Sequence, residues 1–284
     1  MGWTPKKITE LLLEAGGIAR RVQGDLRFEV KPDLSLVTAA DKEIEKLFER
    51  ELERPSEGVY LIGEETIDGK GEDYIEAALA NEAYVVDPID GTAPFAHHLP
   101  NWGVSIGRME HGRLTDGAVY LPDFGELVLS DGDLVLQGVH RGSIWKWTTL
   151  DSPRRGANPY GLLAITQGLA KRGKVLLPNP VMVLGVAVVP MVGLLQGRFQ
   201  AYLGSVKLWD VAGALPLLLR MGFAISVMAG GERREVTDRV DNGVYDLAPS
   251  SLKRWALRSD LLICHPEDED RLRAGFQGGD AGGD

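Results

Sequence analysis

The stretch Tyr84-Val85-Val86-Asp87-Pro88-Ile89-Asp90-Gly91-Thr92 decides how this chain is read. Tyr84 to Val86 is an aromatic and β-branched run with the composition of a short buried strand, and Pro88, which has no N–H to donate, is expected to end its ladder. Asp87 and Asp90 are therefore placed at a strand's end. Pro88 fixes its own φ and restrains the residue before it, so two carboxylates and the Ile89 carbonyl converge on one hard cation. Gly91-Thr92 then turns the chain toward a helix. A glycine lets backbone approach a ligand closely, and amides at a helix start favour a phosphate oxygen. Cation and phosphate chemistry thus meet in one turn of chain, although Asp, Pro and Gly also make an ordinary acidic turn.

Two further stretches bear on that choice: Ile62-Gly63-Glu64-Glu65 upstream and Leu208-Trp209-Asp210-Val211-Ala212-Gly213 downstream. Together and in this order the three resemble the inositol monophosphatase family. These are metal-dependent, lithium-sensitive phosphatases that also include fructose bisphosphatases, phosphoadenosine phosphate phosphatases and some histidinol phosphatases. The resemblance runs from the first helix to about Pro266 and is strongest over residues 31–125 and 207–215. It implies an α/β/α/β/α sandwich, an α/β fold of the inositol monophosphatase and fructose bisphosphatase type.

The resemblance also implies roles. Glu64, Asp87 and the Ile89 carbonyl would hold one Mg²⁺, and Asp87, Asp90 and Asp210 a second, with a third, weaker ion near Glu64. The segment Lys31-Pro32-Asp33-Leu34-Ser35-Leu36-Val37-Thr38-Ala39-Ala40-Asp41 is similar to the family's lysine-containing loop and the Asp-Leu-Val-Thr-x-x-Asp pattern after it. There the final aspartate, here Asp41, hydrogen-bonds the motif threonine, here Thr92. Asp41, Thr92 and Glu64 would orient and activate a water, while the Gly91, Thr92 and Ala93 amides hold phosphate oxygens. Three positions depart from the pattern. Ser35 replaces its first aspartate; Pro94 brings no amide hydrogen; and Leu203 stands where inositol monophosphatases carry a glutamate that hydrogen-bonds a ring hydroxyl, a bond leucine cannot accept. Lys207 is a candidate for a second anionic group of the substrate.

Composition narrows the alternatives. The 284 residues, 44% hydrophobic, suffice for a substantial core in one catalytic domain over 1–275 with two subdomains, about 1–150 and 151–275, and a Gly/Asp-rich disordered tail over 276–284. A net charge of -10 argues against nucleic acid or an anionic membrane as partner. Cys264 is the single cysteine, which fits a reducing cytoplasm, and the N-terminus shows no signal-peptide core. Val175 to Leu195 is apolar enough to suggest a membrane span, but Pro178, Asn179, Pro180 and Pro190 break it.

Along the chain, Thr4-Pro5 opens a helix with Ile8, Leu11, Leu12, Ala15, Ile18, Ala19 and Val22 on one face. Asp41 falls near the start of a second helix, where a carboxylate also suits the dipole. Val59 to Ile62 reads as a strand that delivers Glu64. Gly103–Met109, Gly117–Leu121, Glu126–Leu129 and Leu134–Gln137 form an antiparallel meander pattern. The turn-rich stretch 145–158 is expected to join the subdomains, with Trp145 and Trp147 in the core. Helices are expected over Tyr160–Lys171 and Met182–Leu195, and strands over Lys174–Leu177, Phe199–Leu203, Phe223–Met228 and Leu261–Cys264. His97 and His98 lack a zinc spacing and receive no role.

The reading is a Mg²⁺-dependent hydrolase of a small phosphate monoester, a homodimer by family habit. Fructose 1,6-bisphosphate, histidinol phosphate and a 3′-phosphoadenosine nucleotide are the competing substrates. A catalytically silent sugar-phosphate binder and a structural Mg²⁺ or Ca²⁺ site are the competing classes.

Overall fold

Thr4 caps the first helix, its hydroxyl accepting from the Lys7 amide, and Pro5 fills the first position of α1 (Pro5–Gln23). The computed structural model describes residues 2–24, 28–30, 36–141, 144–153, 158, 160–229 and 232–277. A hairpin of β1 (Phe28–Val30) and β2 (Leu36–Thr38) leads into α2 (Ala39–Leu52). Lys31 to Ser35, with the Ser35 departure, lie outside the described residues. Then follow β3 (Val59–Gly63), α3 (Glu72–Ala80), β4 (Glu82–Asp90) and α4 (Thr92–Ala96). The meander is β5 (Gly103–Glu110), β6 (Arg113–Leu121), β7 (Glu126–Asp131), β8 (Leu134–Arg141) and β9 (Ile144–Thr149). Among the described residues, β3 to β9 form one sheet in sequence order, parallel at β3–β4 and antiparallel elsewhere.

The later chain holds β10 (Leu163–Ile165), α5 (Gln167–Arg172), β11 (Lys174–Val175), β12 (Val181–Met182), α6 (Val188–Leu195), β13 (Ala201–Gly204), α7 (Leu208–Ala212) and α8 (Leu215–Arg220). It ends with β14 (Ala224–Ala229), β15 (Glu232–Glu235), β16 (Leu261–Cys264), α9 (Glu269–Ala274) and β17 (Phe276–Gln277). A second sheet runs β12-β10-β13-β16-β14-β15.

Strand alternation builds the layers. Tyr84 and Val86 of β4 face α1 and α2, in a cluster with Ile8, Leu12, Ile44 and Phe48, whereas Ala83 and Val85 face the other way, with Met191 of α6 and Leu217 of α8. Tyr202 and Ile263 of the second sheet share that inner cluster. Leu203 and Leu262, one residue on or back, face outward with Leu169 of α5 and Leu272 of α9. The order is helices, sheet, helices, sheet, helices: an α/β/α/β/α sandwich.

Several local expectations give way to tertiary pairing. Over 160–171 the chain forms a strand and a short helix, because Leu163-Ala164-Ile165 is gripped between β12 and β13. Met182–Leu195 is an edge strand and then α6, with Gly185 at φ 71 between them. Residues 145–149 belong to β9, where Trp145 stacks on Trp147 (5.9 Å between centroids) and Trp147 is 39% exposed, so the indole is not a core residue. Residues 276 and 277, assigned above to the tail, pair as β17 with β11, and residues 278–284 lie outside the described residues. No helix among the described residues is long and apolar enough to cross a membrane.

Candidate active site

Strand β4 does not stop at Pro88. Asp87 pairs with Ser105 and Asp90 with Gly103, so β4 advances three residues while β5 advances two. This is a β-bulge, and it solves a geometric problem. In a regular strand Asp87 and Asp90 point to opposite faces. The extra residue shifts the phase, which the core records: Ile89 joins Tyr84 and Val86 in the α1/α2 cluster, and Asp90 thereby shares the inner face with Asp87.

Asp210 arrives from the other side on α7. That helix lies with its backbone almost against the sheet, because a Cβ on Gly213 would stand 2.4 Å from Ser105 Oγ and 2.6 Å from the Ala118 carbonyl. Close approach requires glycine at this point of the Trp-Asp-Val-Ala-Gly stretch. As a result one carboxylate oxygen each of Asp87, Asp90 and Asp210 lies within 4.8 Å of the others.

Each carboxylate is held by backbone amides, local for Asp87 and Asp210 and distant in the chain for Asp90. Asp87 Oδ1 accepts the Ile89 amide at 3.1 Å, which turns the chain over Pro88. Asp90 Oδ2 accepts the Ala187 amide at 2.8 Å and the Val188 amide at 2.5 Å, at the start of α6. Asp210 Oδ2 accepts the Lys207 amide at 2.7 Å, as a residue in the first turn of a helix does. Burial and mutual repulsion push the Asp87 and Asp90 carboxyls well above the usual carboxylate range, and burial with the neighbouring Glu64 pushes Asp210 up to about 7.

Asp41 is the third residue of α2 and fully buried. Its Oδ2 accepts both the Thr38 amide (2.8 Å) and the Thr38 hydroxyl (2.5 Å), while Oδ1 has no hydrogen-bond partner among the described residues. Burial lifts its carboxyl to about 7, with Glu65 and Glu64 adding repulsion. The bond expected between Asp41 and Thr92 is not formed; helix capping claims Oδ2, and the Thr92 hydroxyl donates to the Ile89 carbonyl at 3.1 Å.

Glu64, Asp90 and Asp210 line a cleft of about 400 Å³ with Gly91, Thr92 and Ala93 on its floor. Gly91 has φ 88, and a Cβ there would stand 2.9 Å from the Asn101 carbonyl, so this turn needs glycine. Leu36, Thr166, Gln167, Tyr202 and Ser205 form walls that the sequence did not reveal. Lys207 Nζ lies over the Trp209 ring, 5.3 Å from its centroid, outside that lining. Leu203 faces the α5/α9 layer, 7% exposed. His97 and His98 are exposed and apart from the cluster.

The donor set fits a hard divalent cation. It is all oxygen and densely negative, and burial with mutual repulsion raises its carboxyl pKa values even with the Lys207 ammonium acting on Asp210. Asp87, Asp90 and Asp210 are grouped closely enough to hold it, and Glu64 lines the same cleft.

Comparison with known proteins agrees with this chemistry. The family model described as inositol monophosphatase family matches residues 6–258. An inositol-1-monophosphatase of Bacillus subtilis is 30% identical over 231 residues, covering 76% of this chain and 82% of its own. One from Mesorhizobium japonicum is 25% identical over 266 residues, covering 89% and 94%. In fold, the chain matches the crystal structure of an IMPase/NADP phosphatase complexed with Mg²⁺ and phosphate, at a TM-score of 0.70 with 17% identity over 96% of each chain.

Proposed function

The chain belongs to the inositol monophosphatase family, and from that premise we propose that it hydrolyses a small phosphate monoester with Mg²⁺, by in-line attack of water on phosphorus. The observation that carries this reading is the Asp87, Asp90 and Asp210 cluster, brought together by a bulge and a glycine contact beside the cleft that Gly91 and Thr92 line. A silent binder has no use for such an expense, since burying several carboxylates costs several kcal/mol.

In this reading Glu64, Asp87 and the Ile89 carbonyl would hold one Mg²⁺ and Asp87, Asp90 and Asp210 a second, with a third, weaker ion near Glu64. Bound Mg²⁺ supplies acidified water and neutralises charge on the phosphate. The chain's own groups do the rest. The Gly91, Thr92 and Ala93 amides fix phosphate oxygens, which orients the ester bond for displacement. Thr92 and Asp41, with Glu64, would orient and activate the attacking water; among the described residues Asp41 Oδ1 is buried and has no hydrogen-bond partner. The P–O ester bond breaks as the new P–O bond forms, and the leaving alkoxide is protonated from solvent.

The substrate reading is a monophosphate with a neutral leaving group. The described residues lining the cleft include no Arg or Lys for a second phosphate, and Leu203 offers no acceptor to a ring hydroxyl. Thr166, Gln167 and Ser205 supply neutral hydrogen-bonding groups instead. The chain is further read as a cytoplasmic homodimer, its buried lone Cys264 suiting a reducing compartment. Leu99, Phe124, Met182 and Val183 are exposed, and Phe124 and Met182 line an apolar groove of about 310 Å³ that a second copy would cover. A solution mass of one chain would contradict the dimer.

The test of the reaction is Asp90→Asn. The asparagine carbonyl keeps the two α6 amides paired, so the fold survives, while turnover of any substrate falls by about a thousandfold, as loss of a key electrostatic group costs. Activity near wild type in a folded variant sinks the assignment.

A further inference from the structure

Glu45 is a fully buried carboxylate outside the cluster described above, one helical turn beyond Asp41 on α2. Its Oε2 accepts the Glu65 amide at 2.9 Å, and its Oε1 accepts the Thr66 hydroxyl. The same carboxylate lies flat on Gly63, where a Cβ would stand 2.1 Å from Oε1. Residues on both sides of Glu64 therefore rest on one side chain. The sheet does not provide this support: the β3–β4 ladder ends at Gly63 with Val86, and the Glu64 amide reaches the Val86 carbonyl only at 3.4 Å. α2 is in turn fixed by its Thr38 cap and by Ile44, Leu47 and Phe48 in the core.

We propose that Glu45 is the positioning residue for Glu64, clamping the end of β3 so that the Glu64 carboxylate stands at a set distance from Asp87 across the cation site. The proposal rests on Glu64 being a Mg²⁺ ligand. A carboxylate fully buried against backbone is expensive relative to an apolar side chain of its size, and holding a ligand segment is what its bonds accomplish. Groups that orient metal ligands this way change metal affinity about ten- to hundredfold when removed.

The test is Mg²⁺ titration calorimetry on the full chain stripped with EDTA, with thermal unfolding of each metal-free variant alongside. Glu64→Gln and Glu45→Ala weaken Mg²⁺ binding about ten- to hundredfold. Glu45→Gln stays within about threefold, because its amide oxygen accepts the Glu65 N–H and its NH₂ donates to the Thr66 hydroxyl. Thr66→Ala, at a half-buried position, keeps one of the two bonds and loses a few-fold. A merely structural role lowers the unfolding temperature and leaves the Mg²⁺ affinity unmoved. Wild-type affinity in Glu45→Ala together with weakened Glu64→Gln overturns the clamp alone, and wild-type affinity in Glu64→Gln overturns the ligand assignment beneath it. If Glu45→Ala does not fold, unchanged affinity in Thr66→Ala overturns the clamp.

Discussion

Replacing Asp210 by asparagine separates the cost of the carboxylate cluster from its use. Asparagine keeps a carbonyl to accept the Lys207 amide, so the start of α7 retains its bond. What changes is charge. At an effective dielectric of about 20, two carboxylate charges at the 4.8 Å limit of the cluster repel by roughly 3.5 kcal/mol, and Asp210 is grouped with Asp87 and Asp90 and feels Glu64 as well. Partial protonation near neutrality, with the Asp210 carboxyl pushed up to about 7, already relieves some of that, leaving a net gain of about 2–4 kcal/mol. At about 2 °C for each kcal/mol in a chain of this length, the metal-free variant melts about 4–8 °C above the metal-free natural protein. Scanning calorimetry in EDTA at pH 7.5 reads this directly. Millimolar Mg²⁺ then raises the natural protein by several degrees and the variant by much less, because ligand binding to the folded state stabilises it by mass action. An Asp210→Asn protein that melts lower in EDTA, or that gains as much from Mg²⁺ as the natural chain, would show that carboxylate repulsion is not what the metal relieves.

Two further outcomes follow from the same geometry. The folded carboxyls of Asp41, Glu45 and Asp210 are raised to about 7, so the metal-free native state binds more protons than the unfolded chain between about pH 4 and 7. Stability in EDTA therefore falls as pH rises through that window, and a melting temperature that climbs from pH 5 to 8 contradicts it. Gly213→Ala forces a methyl onto Ser105 Oγ and the Ala118 carbonyl, costing about 1–3 kcal/mol by overpacking and displacing Asp210; a denaturant midpoint and turnover both unchanged would show that α7 does not need the close approach.

Much of the site was legible because its chemistry is local. Asp87, Asp90, Gly91 and Thr92 sit in one stretch, and glutamate after a strand and aspartate at a helix start are short-range signals. The means of convergence was not legible. Pro88 reads as a strand end, yet it opens a bulge, since only pairing with β5 shows that Asp90 rejoins the ladder. Asp41 reads as a partner of Thr92, but Thr38, three residues away, competes for it at no loop-closure cost. Glu45 does carry a signal in the sequence: it falls at helical spacing within the stripe Asp41, Ile44, Glu45 and Phe48, all buried. The second sheet was the hardest part, because β10 and β12 are short and become strands only by pairing across long loops. The cleft walls at Thr166, Gln167, Tyr202 and Ser205 depend on that sheet, which is why the substrate side stayed dark in the sequence.

The carboxylate cluster is proposed to support Mg²⁺-dependent release of phosphate from a small monoester. Phosphate release is therefore measured from inositol 1-phosphate, fructose 1,6-bisphosphate, histidinol phosphate and a 3′-phosphoadenosine nucleotide, each with Mg²⁺ and with EDTA. Release from at least one monophosphate is expected to require Mg²⁺ and to disappear in Asp90→Asn. No release from any compound by a folded protein that binds Mg²⁺ contradicts it and leaves a silent binder in its place.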